Sequence, residues 1–321
     1  METSVPTLRR PLTLSLALQG GGAHGAFTWG VLDRLLEEPL LQFDGVSATS
    51  SGAMNAVALA QGWLDGGRDG ARAALGRLWE SVAAHSNMMR WAFAGAAGES
   101  ILLGLTHYFT PQEINPLGIN PLREIATGLF DFERLRRLAP FRLFIAATRV
   151  RDGALAIFDD TRLSLDTLLA SVCLPQMFAP VEIDGENYWD GGYAGNPALE
   201  PLVYGLRSRN LLCVLVQPLE QAQAPRTARE IRDRIGELGF STTFLRELET
   251  FRRAQKYLLH TFPISWIGRR IRRLQIDLVE PGESLDAYSA KTRLNTRIGF
   301  LHELRDIGRE RADLWLSAMP E

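Results

Sequence analysis

Two side chains and a run of backbone amides have the types and spacing that suit acyl-transfer chemistry. Gly20, Gly21 and Gly22 follow an apolar run and precede a helical pattern, so their N–H groups can approach a bound anion at a helix N-terminus. Such a nest stabilises either a pyrophosphate or a tetrahedral oxyanion. The spacing to Gly25 also satisfies the G-x-G-x-x-G fingerprint, with Asp44 about 20 residues further on. A nucleotide-binding or oxidoreductase module is therefore one interpretation of this loop.

Residues 48–52 have the pattern of a nucleophile elbow, with Ala48 in the first small position and Gly52 in the last. A nucleophile on a sharp strand-to-helix turn needs small residues two before and two after it, because those positions pack against backbone. The pattern puts Ser50 at the apex and points the N–H of Ser51 at the oxyanion position. Ser47 and Ser51 are competing nucleophiles, but neither has small residues on both sides in register. The alternative is a Ser/Thr-rich loop that caps the next helix.

A third segment supplies a candidate general base. Asp190 precedes Gly191 and Gly192, whose permissive backbone allows the carboxylate to approach a serine hydroxyl closely. Taken alone, an Asp-Gly-Gly sequence is an ordinary turn. A Ser–Asp–His esterase would require His260 or His302, the two histidines that follow the aspartate. Because one ends a predicted helix and the other lies within a helical pattern, a serine–aspartate dyad is the preferred hypothesis.

The segments that position these residues alternate between strand and helix. Four apolar runs predict buried strands, at residues 13–18, 44–49, 143–150 and 211–217. Helical patterns at 25–38 and 51–61 lie between them. This alternation predicts an α/β fold with a mostly parallel central sheet flanked by helices. The dipeptides Asp152-Gly153 and Asp184-Gly185 predict two hairpins.

The character of the chain changes after residue 217. Residues 227–260 and 285–317 predict long amphipathic helices, separated by a short strand at 274–279. No linker rich in Pro, Gly or Ser separates this part from the rest. We therefore expect a catalytic core at 13–217, a helical C-terminal layer at 218–321 packed on the same domain, and an N-terminal tail at 1–12.

The three motifs, in this order and at these separations, resemble those of the bacterial patatin-like phospholipases: a G-G-G-x-[RK]-G loop, a G-x-S-x-G elbow and a later D-G-[GA]. The resemblance spans about residues 13–217 and includes the segment 170–180. It implies a three-layer α/β/α fold and hydrolysis of lipid acyl esters through an acyl-enzyme. By this resemblance, Ser50 is the nucleophile and Asp190 is the proton acceptor. The implied oxyanion hole is formed by the backbone of Gly20, Gly21, Gly22 and Ser51.

Two positions depart from the motifs that they otherwise support. His24 stands where the family has Arg or Lys, and it is neutral or partly charged near pH 7. Ala48 stands in place of the first elbow glycine. The remaining small residues of the three motifs are present, namely Gly25, Gly52, Gly191 and Gly192.

Composition narrows the classes of partner. The net charge is −2 over 321 residues, which argues against nucleic-acid binding. Cys173 and Cys213 form no disulfide framework, and no Cys/His cluster has zinc spacing, so neither cofactor nor metal is expected. The sequence shows no secretory signal and no apolar run long enough to span a membrane. We predict a cytoplasmic protein that acts on phospholipid or another acyl ester. A peripheral membrane contact is a further expectation.

Two further segments suggest contact with lipid. Residues 91–106 are apolar and interrupted by glycine, which fits either a lid over Ser50 or a buried helix pair. Residues 266–273 combine Trp266 with four arginines, which fits either an anionic-membrane contact or a solvated basic face. A non-catalytic lipid-binding regulator on the same fold is a third hypothesis, against which the intact Ser50 and Asp190 argue.

Overall fold

Eight strands form one mixed sheet at the centre of the protein, whose computed structural model describes residues 8, 10–92, 110, 111, 118–219, 224–282 and 290–319. The strands are β1 (Leu12–Leu18), β2 (Leu41–Thr49), β3 (Arg142–Arg149), β4 (Leu155–Asp159), β5 (Val181–Ile183), β6 (Glu186–Asp190), β7 (Asn210–Val214) and β8 (Gln275–Val279). Strands β3, β2, β1, β7 and β8 are neighbours in that order and run parallel. Strands β4 and β6 pair antiparallel with β3, and β5 pairs antiparallel with β6.

Helices cover both faces of this sheet. They are α1 (Gly25–Leu35), α2 (Ser51–Ala92), α3 (Pro121–Leu129), α4 (Phe132–Leu138), α5 (Leu165–Ser171), α6 (Glu200–Gly205), α7 (Ala228–Leu259), α8 (Trp266–Arg273) and α9 (Ile298–Ser317). Helix α2 is longer than the sequence predicted, and its backbone leaves the helical conformation at Gly66 and Gly67. Short 3-10 turns lie at Gly22–His24, Asp160–Arg162, Gly191–Tyr193 and Ala290–Leu294.

Alternate side chains of each central strand enter two separate cores. On β1, Leu14, Leu16 and Leu18 pack in the core that includes residues of α1, α2 and α9. Ala17 faces the other way, into the core that includes residues of α6 and α7. Since strand side chains alternate between faces, this division makes three layers. The predicted α/β class, with a mostly parallel sheet between helices, is confirmed.

Both predicted hairpins are present. Strands β3 and β4 are joined through Asp152 and Gly153, and β5 and β6 through Asp184 and Gly185. In the second hairpin both turn residues have positive φ, 54° for Asp184 and 77° for Gly185. Two consecutive residues with positive φ form a type I′ turn, whose twist matches that of the two strands it joins.

The C-terminal part joins the sheet as well as covering it. Strand β8, predicted at 274–279, pairs parallel with β7. Helix α9 lies against α1, where a Cβ at Gly30 would lie 1.8 Å from the carbonyl oxygen of Arg305 and one at Gly308 would lie 2.1 Å from that of Phe27. These glycines let the two helix backbones approach closely. The division of the chain at residue 217 stays a prediction.

The single helix predicted over residues 285–317 is wrong in its first part. Helix α9 begins at Ile298, and Ala290–Leu294 form a 3-10 turn instead. The Asn295 side chain accepts a hydrogen bond from the N–H of Arg297, which offers the backbone an alternative to the helix. The turn packs on the glycine loop at residues 20–25, so a tertiary contact overrides the helical pattern.

None of the helices in the described part of the chain is both long and apolar enough to cross a membrane. Residues 93–106, which make up most of the segment interpreted as a lid or buried helix pair, lie outside the described residues, as does His107.

Candidate active site

The predicted elbow is a strand-to-helix turn with Ser50 at its apex. Strand β2 ends at Thr49, α2 begins at Ser51, and Ser50 between them has φ 54°. A left-handed conformation at a non-glycine residue is strained and is typical of functional positions. A Cβ at Gly52 would lie 2.4 Å from the carbonyl oxygen of Leu18, so the turn packs tightly against the end of β1. Ala48 is fully buried in the core, which accommodates its methyl group.

Asp190 reaches the elbow because two strands share one edge of β3. Strand β2 pairs with β3 as far as Thr49 opposite Ala146. From Ala147 onward β3 pairs with β6 instead, and Asp190 is the partner of Ala147. Strand β4 occupies the other edge of β3 over the same residues, which places β2 and β6 end to end. Asp190 and Ser50 are thereby adjacent beyond the end of β2.

The Asp190 carboxyl group is fully buried and only half satisfied. Its Oδ1 accepts a hydrogen bond from the N–H of Gly192 at 2.7 Å. Its Oδ2 has no partner within hydrogen-bonding distance and angle among the described residues. Burial raises the pKa of Asp190 to about 7, while the Ser50 hydroxyl and the Gly192 amide beside it act in the lowering direction. The carboxyl group is thus poised to exchange a proton near neutral pH, with one oxygen open.

The glycines after Asp190 are required by close neighbours. A Cβ at Gly191 would lie 2.3 Å from the carbonyl oxygen of Ala146, and one at Gly192 would lie 2.1 Å from the ring of Phe240. Phe240 belongs to α7 and also packs against Tyr193, with ring centroids 4.7 Å apart. Helix α7 therefore covers the aspartate and keeps solvent from it.

The glycine loop lies directly against the elbow. A Cβ at Gly20 would lie 2.5 Å from the Cβ of Ser50. Two of the loop amides donate to side chains of the protein: the N–H of Gly20 to Asn196 Oδ1 at 2.7 Å, and the N–H of Gly21 to Ser51 Oγ at 3.0 Å. These bonds fix the loop on the elbow, and they occupy two donors that a pyrophosphate or an oxyanion would need.

Two further amides have no acceptor among the described residues. These are the N–H of Gly22, at the start of the 3-10 turn, and the N–H of Ser51, in the first turn of α2. Gly22 has φ +61°, and a Cβ there would lie 2.4 Å from the carbonyl oxygen of Arg293. Of the four predicted oxyanion donors, Gly22 and Ser51 are therefore the two with an open N–H.

His24, which replaces the family's cation, is neutral at pH 7. Burial lowers its pKa to about 4, the Arg293 charge acts in the same direction, and the Val216 backbone opposes them. Its Nε2 lies 2.8 Å from Thr292 Oγ1. Arg293 is a cation beside the loop: its charge acts on His24, and its Nη2 lies 3.5 Å from Glu237 Oε1.

The described histidines have contacts away from the dyad. His85 Nδ1 lies 2.9 Å from the carbonyl oxygen of Ser81, and His302 packs against Trp29. His260 is exposed and follows the last residue of α7. No hydrogen bond joins any of them, or His24, to Ser50 or Asp190 in the described part of the chain. The geometry of a Ser–His–Asp triad is therefore not formed by these histidines.

Sequence reasoning missed three residues that hold the site together. Asn196 is fully buried and binds both the N–H and the carbonyl oxygen of Gly20, and its Nδ2 also donates to the carbonyl oxygen of Phe240. Ser171 Oγ accepts the N–H of Ser50 at 3.0 Å. Arg293 packs its backbone on Gly22. Only Ser171 lay in a segment that the sequence singled out, residues 170–180.

A metal centre was not expected, and the described residues hold no group of three or more His, Cys, Asp or Glu side chains arranged to bind a metal ion.

Residues 16–203, which contain the glycine loop, the elbow and Asp190, match a family model described as patatin-like phospholipase. Among curated protein sequences no match is found.

Two solved structures are among those that match the chain. The crystal structure of VipD from Legionella pneumophila shares 16% identity, with a TM-score of 0.40, and the match covers 94% of this chain and 67% of that one. A chain of the heterodimeric complex ExoU–SpcU, from the type III secretion system of Pseudomonas aeruginosa, shares 15% identity with a TM-score of 0.39. That match covers 96% of this chain and 52% of the other.

Proposed function

The chain belongs to the patatin-like phospholipase family, and from this premise we propose that it is a serine hydrolase of lipid acyl esters with a Ser50–Asp190 dyad. The substrate class is phospholipid or a related acyl ester, cleaved through an acyl-enzyme. The protein meets this substrate from the aqueous side of a membrane in the cytoplasm. Membership of the family and the geometry of the two side chains support the proposal.

The first half-reaction acylates Ser50. Asp190 Oδ2 takes the hydroxyl proton as Ser50 Oγ forms a bond to the ester carbonyl carbon. The negative charge that develops on the carbonyl oxygen is stabilised by the open amides of Gly22 and Ser51. When the carbon–oxygen bond of the ester breaks, the protonated Asp190 returns its proton to the departing alcohol.

The second half-reaction regenerates the enzyme. Asp190 removes a proton from a water molecule, which attacks the acyl carbonyl, and the same amides stabilise the second oxyanion. Collapse of this intermediate releases the carboxylic acid, and Asp190 returns the proton to Ser50 Oγ. Each step needs one acceptor oxygen on Asp190, while the other stays bound to the Gly192 amide.

One observation carries the proposal: a fully buried carboxyl group with one unsatisfied oxygen lies beside a serine held in a strained turn. An unsatisfied buried carboxylate destabilises a protein, so structural roles alone do not explain it. A role as the proton acceptor for Ser50 would explain why this oxygen is left without a partner.

The test compares Ser50→Ala with Ser47→Ala on p-nitrophenyl butyrate and on a phospholipid. Ser47 is the matched control, because it lies on β2 three residues before Ser50 and its buried hydroxyl has no partner among the described residues. Ser47→Ala should retain activity, whereas Ser50→Ala should lose about 10⁶-fold in kcat.

A second measurement identifies the nucleophile directly. A fluorophosphonate reagent should modify the wild-type protein once, and mass spectrometry should locate the adduct on Ser50. An adduct on Ser47 or Ser51 would refute the nucleophile assignment. Wild-type protein that is folded but neither hydrolyses ester nor reacts with the reagent would favour the non-catalytic regulator.

A further inference from the structure

An unusually apolar surface lies far from the dyad, where α7 turns into α8. We call residues 257–266 the apolar tip. Five of its ten residues are large apolar or aromatic side chains that are each more than half exposed, namely Tyr257, Leu259, Phe262, Ile264 and Trp266. Phe262 is 96% exposed and Ile264 is 92% exposed. Soluble proteins rarely expose large apolar side chains in such a group unless the surface binds something.

The turn that carries these side chains is held in place from inside. The Ser265 side chain accepts the N–H of Gly268 at 3.1 Å and caps α8. Arg269 donates to the carbonyl oxygen of Ile264, and Arg272 donates to that of Thr261 at 3.4 Å. A Cβ at Gly268 would lie 2.7 Å from the Cβ of Pro263, so Pro263 packs inward. The residues on either side of it, Phe262 and Ile264, are turned outward by a fixed backbone.

The residues that flank the apolar tip along the chain carry charge of one sign. Residues 250–273 contain seven Lys and Arg and no Asp or Glu, in a chain whose net charge is −2. One of the seven, Arg270, is buried and bonds to the carbonyl oxygens of Leu202 and Val203. Arg252, Lys256 and Arg273 are exposed and form no ion pair with a carboxylate in the described part of the chain. Exposed cations therefore flank the apolar side chains in excess over Glu249, which pairs with Arg253 and lies close enough to interact with Arg252 and Lys256.

We propose that the apolar tip and its flanking cations dock the protein on an anionic phospholipid bilayer. Aromatic and aliphatic side chains enter the interface between headgroups and acyl chains, while Arg and Lys beside them contact lipid phosphates. Positive charge of one sign beside exposed aromatic and aliphatic side chains fits an anionic lipid surface, whose headgroups are negative and whose acyl chains are apolar. The sequence pattern at 266–273 is part of this surface, but its largest apolar side chains, Phe262 and Ile264, precede that segment.

The docking surface is joined to the active site by one continuous helix, α7. Phe240, which covers Gly192, is 19 residues before the end of α7 at Leu259, or about 28 Å along the helix. The tip therefore does not line the site; it holds the molecule at the bilayer while α7 sets the distance of the dyad from it. This inference concerns the partner of the proposed lipid hydrolase, yet lipid binding is measurable without turnover.

The experiment measures sedimentation of the full chain with vesicles, in a Ser50→Ala background so that the lipid is not consumed. Mixed phosphatidylcholine–phosphatidylglycerol vesicles should bind the protein, and phosphatidylcholine vesicles should bind it weakly. Phe262→Ser with Ile264→Ser should lower the affinity for the mixed vesicles about tenfold or more. Arg252→Gln with Lys256→Gln and Arg273→Gln should lower it on the order of a hundredfold and weaken its dependence on salt.

The matched control is Leu138→Ser with Leu314→Ser, two leucines on α4 and α9 that are also more than half exposed. This variant should bind vesicles like the parent, and all variants with Ser50 restored should hydrolyse p-nitrophenyl butyrate equally. Equal vesicle binding by the tip variants and the control would overturn the proposal. Self-association in the absence of lipid that the tip substitutions abolish would instead identify a second copy as the occupant. Vesicle binding without ester hydrolysis would leave the docking surface standing and refute the proposed function.

Discussion

The active site and the apolar tip differ in what fixes their residues. Around Ser50, close neighbours leave no room for a side chain at three glycines. Gly20 faces the Ser50 Cβ, Gly52 faces a carbonyl oxygen of β1, and Gly192 faces the Phe240 ring. At the apolar tip, the backbone is held but the outward side chains touch little, with Phe262 and Ile264 almost fully exposed. The first region is defined by close approach and the second by its chemical character.

This difference decides what substitution does to each region. In the active site a single methyl group or a single lost oxygen acts on geometry, so its effect on catalysis is large. At the apolar tip one apolar residue replaces another at little cost, and only a change of polarity or charge alters binding. The site should therefore be sensitive in kcat and the tip in affinity for membranes.

After Ser50→Ala, Asp190→Asn should have the largest effect on catalysis while leaving membrane binding unchanged. It keeps the shape and the Gly192 contact but cannot accept the serine proton, so kcat on p-nitrophenyl butyrate should fall about 10⁴-fold. Because burial disfavours the charged form, the variant should also melt at a higher temperature than the wild type at pH 8. Asp152→Asn, in the exposed turn between β3 and β4, is the control and should change neither activity nor vesicle binding. Substantial activity in Asp190→Asn would break the distinction between the two regions.

Gly22→Ala should have the next largest effect. The added methyl meets the carbonyl oxygen of Arg293 and forces the loop away from the oxyanion position, so kcat should fall about 10²-fold. Gly118→Ala is the matched control, because Gly118 has φ +62° and a Cβ there would meet no atom of the described residues within 4 Å. It should show only the backbone cost, about 1–2 kcal/mol, with unchanged kcat. Equal kinetics in the two variants would show that Gly22 matters for its backbone conformation alone.

The pH profile sharpens the comparison further. Since Asp190 must be ionised to accept the proton and its pKa is raised to about 7, kcat/KM should rise roughly tenfold per pH unit below 7 and level off above it.

Stability should change with pH in the opposite direction to activity. The unfolded chain releases this proton near its ordinary pKa of 3.8, so stability is lost as the pH rises from about 4 to 7. His24, with its pKa lowered to about 4, should add no inflection near neutrality. Vesicle binding should not follow the ionisation of Asp190, because the Arg and Lys side chains that flank the apolar tip remain charged throughout this range.

The smallest effect is expected on the stability of the apolar tip itself. Phe262→Ser with Ile264→Ser removes little buried area, so the free energy of unfolding should change by no more than about 0.5 kcal/mol per site. Urea denaturation followed by circular dichroism measures this. A loss of several kcal/mol would mean that the two side chains are packed in solution, and the contrast with the active site would disappear.

The same difference explains how far the sequence predicted the molecule. The elbow, the glycine loop and the Asp-Gly-Gly turn are local, because each needs particular residue types at fixed spacing for its own backbone geometry. The strands of the core and both hairpins followed from apolar runs and turn dipeptides for the same reason.

What the sequence did not show depends on contacts between distant segments. Asn196 lies 176 positions from Gly20, with nothing in its neighbours to mark it as the residue that holds the glycine loop. The helix predicted from residue 285 has a suitable pattern, yet the turn at Ala290–Leu294 is imposed by packing on that loop. Phe262 and Ile264 have no periodicity, and only the structure shows that both are outside.

The sharing of one edge of β3 by β2 and β6 has a consequence for how the chain tolerates insertions. Because Asp190 is opposite Ala147 by strand register, adding or removing one residue between Tyr188 and Asp190 would turn the carboxylate to the opposite face of the sheet. An extra residue at the exposed turn of Asp184 and Gly185 lies beyond the paired residues and leaves that register intact. Length variation among natural or engineered relatives should therefore collect at the far end of this hairpin and stop short of its last three residues.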